Sequence, residues 1–165
     1  MIESTKREIG HLLTALAASF EGAPQGGNVG LLPSVRGLTA ELAAWLPGEG
    51  RHSIWQIVNH VAIWDENLAD VLAGKPAWPD GWWTTRDWQP IAQTTGEAWR
   101  EALRRLTAAH AVVKAQVEET SDDRLDSVVG QAPLYASILG SALHKSYACG
   151  QIRYIRGLQG VPPEG

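Results

Sequence analysis

Apolar residues return every three or four positions along most of this chain, a spacing that suits helices with one buried face and little else. Between 54 and 72 the stripe is Ile54, Ile57, Val58, Val61, Trp64, Leu68, Val71 and Leu72. Ser53 as N-cap with Gln56 three residues on forms a capping box that opens this helix, and Gly74 and Pro76 close it. A third helix is read from Thr94-x-x-Glu97, a second box pattern, to about Glu119, with Trp99, Leu103, Leu106, His110, Val113 and Val117 on its buried face. The first helix covers about 3–21 on Ile9, Leu12, Leu13, Leu16 and Phe20, and stops at Gly22-Ala23-Pro24. The fourth covers about 134–158 and ends at Gly160, before Pro162-Pro163. A short extra helix is expected at 34–45 from Leu38, Leu42 and Trp45. No strand-like alternation and no internal repeat competes, so the chain reads as an all-α four-helix bundle forming one domain over 1–165.

Charge and composition exclude several classes. Fourteen Lys and Arg against eighteen Asp and Glu leave a net charge of −4, which argues against a nucleic-acid partner held by bulk charge. Arg100, Arg104, Arg105, Arg153 and Arg156 read as solvated helix faces. No run approaches the ~18 apolar residues of a membrane span, so no membrane partner is expected. The first twenty residues superficially look like a secretion signal, but Glu8 and His11 interrupt them and the apolar residues recur at helical spacing, so an amphipathic helix of the mature protein is expected. The lone Cys149 excludes an intramolecular disulfide and a cysteine-based zinc module, and it fits a reducing cytoplasm.

Aromatic usage is lopsided: eight Trp against one Phe. Four of those tryptophans fall in GKPAWPDGWWTTRDWQP, residues 74–90, where no helical or strand period fits. Segments of this length without regular structure tend to carry function. Two readings stand side by side: a cover over one end of the core, and a lid whose aromatic faces line a pocket.

The histidines narrow the chemistry. His60 sits at the edge of the second helix's stripe, and His144 shares a face of the fourth helix with Ser137, Gly140, Ser141, Ala148, Gln151 and Ile155. Imidazoles on facing helices of a bundle are a usual way to hold zinc or nickel, although two alone fall short of the three protein ligands of a catalytic site. His110, alone in an apolar stripe, reads first as a core histidine making one buried hydrogen bond. Tyr147 reads as a packing residue, or as a proton donor.

Several motifs together resemble the DinB/YfiT-like superfamily. They are Leu-Thr-Ala-Glu at 38–41, the Pro-Gly before His52, HSIWQIVNHVAIWDENL at 52–68 and GSALHKSYACGQIRYIRGLQG at 140–160. The resemblance implies an up-down-down-up four-helix bundle, here with the short extra helix and the long Trp-rich loop, and often a homodimer. It also implies a divalent metal held by one His of the second helix and an His-x-x-x-His pair of the fourth. Carried over, the ligands are His60 and His144, while the third position falls on Ala148, whose methyl group cannot coordinate. Gln151 matches the family's usual glutamine and is expected on the cofactor side.

Characterised relatives imply a low-molecular-weight thiol as co-substrate and a small-molecule substrate, in S-transfer or mycothiol-dependent isomerisation. Two functions follow as expectations: a metal-dependent transferase or hydrolase with an incomplete histidine site, or a dimeric bundle that lost the metal and keeps a pocket for a small apolar ligand. Candidates to replace the missing ligand are His110 and, from the loop, Asp80 or Asp87. Asp65 and Glu66 lie off the face of His60, and Cys149 is turned ~140° from His144 and reads as a small buried thiol.

Overall fold

The structure is a computed structural model that describes residues 6–162 apart from 25, 28, 77 and 131. Its elements in chain order are α1 (Arg7–Glu21), α2 (Leu31–Ser34), α3 (Ala40–Ala44), α4 (Ile54–Leu72), α5 (Trp83–Arg86), α6 (Gly96–Glu119) and α7 (Leu134–Leu158). A 3₁₀ turn (Asp122–Arg124) and a two-residue hairpin, β1 (Val128–Val129) with β2 (Ala132–Pro133), fill the α6–α7 connection. The all-α expectation holds, and the tiny antiparallel ladder is the one strand pair among the described residues. Residues 3–5 of the expected first helix lie outside the described residues.

Helix ends follow from local chemistry. Ser53 and Gln56 form the expected reciprocal box at the start of α4. At α6 the cap shifts by one residue: the Thr95 side chain, not that of Thr94, accepts from a backbone N–H, that of Ala98. Helix α1 has no side-chain cap of its own; Asp122, far along the chain, accepts from the N–H groups of Glu8 and Ile9 at 3.3 and 3.1 Å. The helix expected at 34–45 is shortened to α3; α2 ends at Ser34, and Gly37 in the left-handed region (φ 73°) lies in the turn between them. Gly30 also has positive φ, and a side chain there would run into the backbone of Gly22, so the chain can turn tightly off α1 only with glycine.

Cross-helix contacts fix the directions. Trp55 meets Trp99 and Glu66 meets Arg105, so α4 and α6 run parallel. Lys6 reaches the carbonyl of Glu118 while Glu21 pairs with Lys114, so α1 opposes α6. His60 meets His144 while Asp65 meets Ser141, so α7 opposes α4. Helices α1 and α7 therefore point one way and α4 and α6 the other, giving the up-down-down-up order.

The core is two apolar clusters stacked along the bundle. One gathers Phe20, Ile57, Val58, Trp99, Leu106 and Ile152; the other gathers Ile9, Leu16, Leu68, Val113, Leu134 and Ile138. Between them lies a polar layer of Asp65, His110 and Lys145, all buried. Arg156, expected on a solvated face, is also buried and donates to the carbonyls of Ser34, Arg36 and Pro162, tying the α2–α3 segment to α7. No described helix is long and apolar enough to cross a membrane.

Candidate functional site

Antiparallel packing of α4 on α7 brings His60 and His144 together on one wall of a cavity of about 590 Å³. Their Nε2 atoms are 2.8 Å apart and their rings nearly perpendicular, at 83°. The carboxylate of Asp87 stands on the other side of His60, with its two oxygens 2.8 and 2.7 Å from Nδ1. A carboxylate can only accept, so Nδ1 of His60 carries the proton and Nε2 the lone pair; in the pair, His144 Nε2–H donates to it, an assignment made from the hydrogen-bond network. Burial first, then the neighbouring His60 and Lys145, pulls the pKa of His144 down to about 4, which keeps it neutral at pH 7.

The Trp-rich segment holds His60 in place. Asp87 also accepts the indole N–H of Trp64 (3.0 Å) and the backbone N–H of Trp88 (2.9 Å). Trp88 has the left-handed backbone conformation (φ 55°), costly for a bulky residue and found where surroundings impose it. Its indole stacks on His60 at 4.0 Å on one face and on His52 at 3.7 Å on the other. The lid reading and the cover reading of residues 74–90 are both met in part: Trp78, Trp82 and Trp83 line the cavity, while Trp88 packs on the histidine and against the core. One helical turn, α5, interrupts this segment where none was expected.

Behind the histidine wall sits an ion pair that sequence reading did not find. Lys145 Nζ lies 2.7 Å from Asp65 Oδ1, and Ser141 Oγ is 2.6 Å from Lys145 and 2.9 Å from Asp65. The Lys145 and Asp65 side chains are 0% and 3% exposed. Burial pushes the Lys145 pKa down while Asp65 pulls it back up. His110 comes within 3.9 Å of the other Asp65 oxygen, too far for a hydrogen bond, and neither of its ring nitrogens has a partner among the described residues. The expected buried hydrogen bond is replaced by a stack on Phe20 at 3.9 Å. The one available signal was Lys145 itself, a charge beside His144 on a helix whose remaining charges are Arg153 and Arg156.

The other candidates separate cleanly. Ser137, Gly140, Ser141 and His144 line the cavity, whereas Ala148, 1% exposed, is packed into the apolar cluster beyond them. Gln151 is half-buried one turn further and does not line the cavity. Cys149 is buried, its thiol reaching the Gly30 carbonyl at 3.2 Å, and burial raises its pKa, so it is a packed thiol and no nucleophile. Asp80 lines the cavity, and Glu66 is engaged by Arg105 on the outside of the bundle. Tyr147 faces solvent at 67% exposure. Among the described residues no group of three or more His, Cys, Asp or Glu side chains is placed to share one metal ion.

A protein-family model described as the DinB superfamily matches residues 30–145, well over half the chain and a span that contains both His60 and His144. No curated protein and no solved structure matches the chain.

Proposed function

Because the chain belongs to the DinB superfamily, we propose that it is a metal-assisted transferase of the thiol-dependent kind, or a hydrolase, acting on a small molecule held in the tryptophan-lined cavity. The observation that carries this reading is the convergence of His60 Nε2 and His144 Nε2 at 2.8 Å, with Asp87 locking the far nitrogen of His60. Carboxylate–histidine pairs of this kind orient an imidazole so that its lone pair faces an ion. The donor set fits zinc or nickel in type, two neutral imidazoles, but not in number, since Ala148 stands where a third would be. His60 and His144 are the residues that would hold the ion, with His144 in its other tautomer. A metal there supplies Lewis acidity that lowers the pKa of water or a thiol. The chain's own residues do the rest: Asp87 and Trp88 fix His60, the Asp65–Lys145 pair fixes α7 beside it, and the tryptophans exclude water around the ligand.

Burial of Ala148 favours a second reading, a bundle that binds a ligand in the same cavity without metal. Titration of chelator-treated protein with zinc or nickel separates the two. Stoichiometric uptake that is lost in His60→Ala, and tightened in Ala148→His, supports the metal reading; no uptake by the native chain overturns it and leaves the second.

The partner proposed for the bundle is a second copy of the chain. Helix α7 leaves Leu143, Tyr147, Tyr154 and Leu158 exposed at 62%, 67%, 70% and 51%. They fall on one stripe with Gly150 and Gln151, and the series is symmetric about those two positions: 143 mirrors 158, and 147 mirrors 154. An isologous contact asks for that self-matching pattern when two such helices pack antiparallel across a twofold axis. Apolar residues on both faces mark a helix covered on both sides.

A further inference from the structure

Beside the histidines, with Trp64 set edge-on to both, the cavity is lined by indoles that do not stack on one another. Trp64 and Trp82 meet at 4.9 Å and 57°, Trp78 and Trp82 at 4.8 Å and 79°, and Trp82 and Trp83 at 6.2 Å and 79°. Steep angles turn the rings into differently oriented panels around Trp82, which is 8% exposed, while Trp64 and Trp83 keep 38% and 49% of their surface open. Two of the panels are anchored through their N–H groups on carboxylates: Trp64 on Asp87 at 3.0 Å and Trp78 on Asp70 at 2.8 Å. Those bonds fix the ring planes before any ligand arrives, so little ordering remains to be done on binding.

Charge selects the ligand. Among the described residues no Lys or Arg side chain lines the cavity, and of its two carboxylates Asp65 is paired with Lys145, whereas Asp80 makes no ion pair. The aliphatic part of the lining is Leu68, Val71 and Val129, which suits the alkyl part of a ligand. Indole faces beside an uncompensated carboxylate serve a cation, because the ring quadrupole and the carboxylate attract the same sign of charge. The chain already uses one of these rings in that way: the guanidinium of Arg86 lies 4.9 Å over Trp78.

We propose that this cavity binds an organic cation, an alkylated ammonium group seated among Trp64, Trp82 and Trp83 with Asp80 at its rim. The inference goes beyond the metal reading and needs no ion at the histidines, which border the seat at Trp64. Choline and its uncharged carbon isostere, 3,3-dimethylbutan-1-ol, are the probes, titrated calorimetrically and by tryptophan fluorescence into chelator-treated protein. The expected result is a preference for choline of roughly tenfold or more, reduced several-fold by Asp80→Asn and by the exposed-ring variant Trp83→Ala. Equal binding of the two probes, binding of the alcohol alone, or binding of neither overturns the proposal. Zinc uptake measured on the same preparation keeps the two readings apart, since each can fail while the other succeeds.

Discussion

Asp87 holds His60 by Nδ1, on the side away from His144, with its carboxylate oxygens at 2.7 and 2.8 Å. The carboxylate therefore does not supply the third ligand that the proposed metal reading lacks; it orients His60. Replacing Asp87 by Ala strips His60 Nδ1 and Trp64 Nε1 of a shared acceptor, and zinc affinity is expected to fall by about 10–100-fold. Asp87→Asn, whose amide oxygen still accepts from one of them, should recover part of that loss. Calorimetry on the two variants checks this, and unchanged affinity in Asp87→Ala would show that the carboxylate plays no part in positioning.

The buried pair beneath the site makes a prediction about stability. Lys145→Met leaves the Asp65 carboxylate, 2% exposed, without its cation, and should cost about 3–5 kcal/mol. Asp65→Asn should cost a similar amount by stranding Lys145. The double variant Asp65→Leu with Lys145→Met removes both charges and should regain most of the loss, since a matched apolar replacement avoids desolvating an ion pair. Urea midpoints at pH 7 decide it; a double variant as unstable as either single one would mean the layer is needed for packing and not for charge balance.

His110 predicts how stability responds to acid. Burial first, then Lys145 and Lys114, lowers its pKa to about 3. It faces Phe20 of α1, Asp65 of α4 and Lys145 of α7, and Asp65 gives no full hydrogen bond to offset the burial. The unfolded chain takes up a proton on this ring below about pH 6.5, while the folded chain does not until about pH 3. The contribution of the neutral ring is thus fully present above pH 6.5 and is lost as pH falls below it, on the order of 2 kcal/mol by pH 4.5. His110→Phe keeps the stack on Phe20 and removes the proton site. The drop in unfolding free energy from pH 7 to pH 4.5 should shrink by about that amount in the variant; an equal drop in both proteins would sink the idea.

The sequence disclosed those parts of the molecule that repeat along a helix. The bounds of α4 and α7 follow from stripes and stop signals, and His60 and His144 stand out because each lies on a face with a definite spacing. Thr94 and Thr95 are both admissible caps, and only the turn geometry chooses the second. What stayed hidden depends on contacts between distant segments. Asp87 sits in a stretch with no period, so nothing local tells which nitrogen it will reach. Asp65 and Lys145 are 80 positions apart, and each alone looks like the polar edge of an amphipathic helix. Arg156 resembles a solvated cation for the same reason, and only the carbonyls of α2 and the turn after it, distant in sequence, account for its burial.

The pairing of two copies proposed for α7 carries a definite register. In an antiparallel pair centred on Gly150 and Gln151, Tyr147 of one copy meets Tyr154 of the other, and Leu143 meets Leu158. The four large side chains offer roughly 450 Å² per copy if a tyrosine carries ~200 Å² and a leucine somewhat less. That is about half of the ~800 Å² per partner of a standard stable interface, with the flanking residues of α7 to add. Sedimentation of the native chain at tens of micromolar should give twice the 17.9 kDa chain mass. Tyr154→Glu should yield monomers, because each copy then buries a carboxylate against a tyrosine, twice per interface. Adding Tyr147→Arg should restore the dimer, since positions 147 and 154 face each other across the axis and nowhere else. A native monomer would remove the interface altogether, and a failure of arginine to rescue glutamate would keep the dimer but exclude this register.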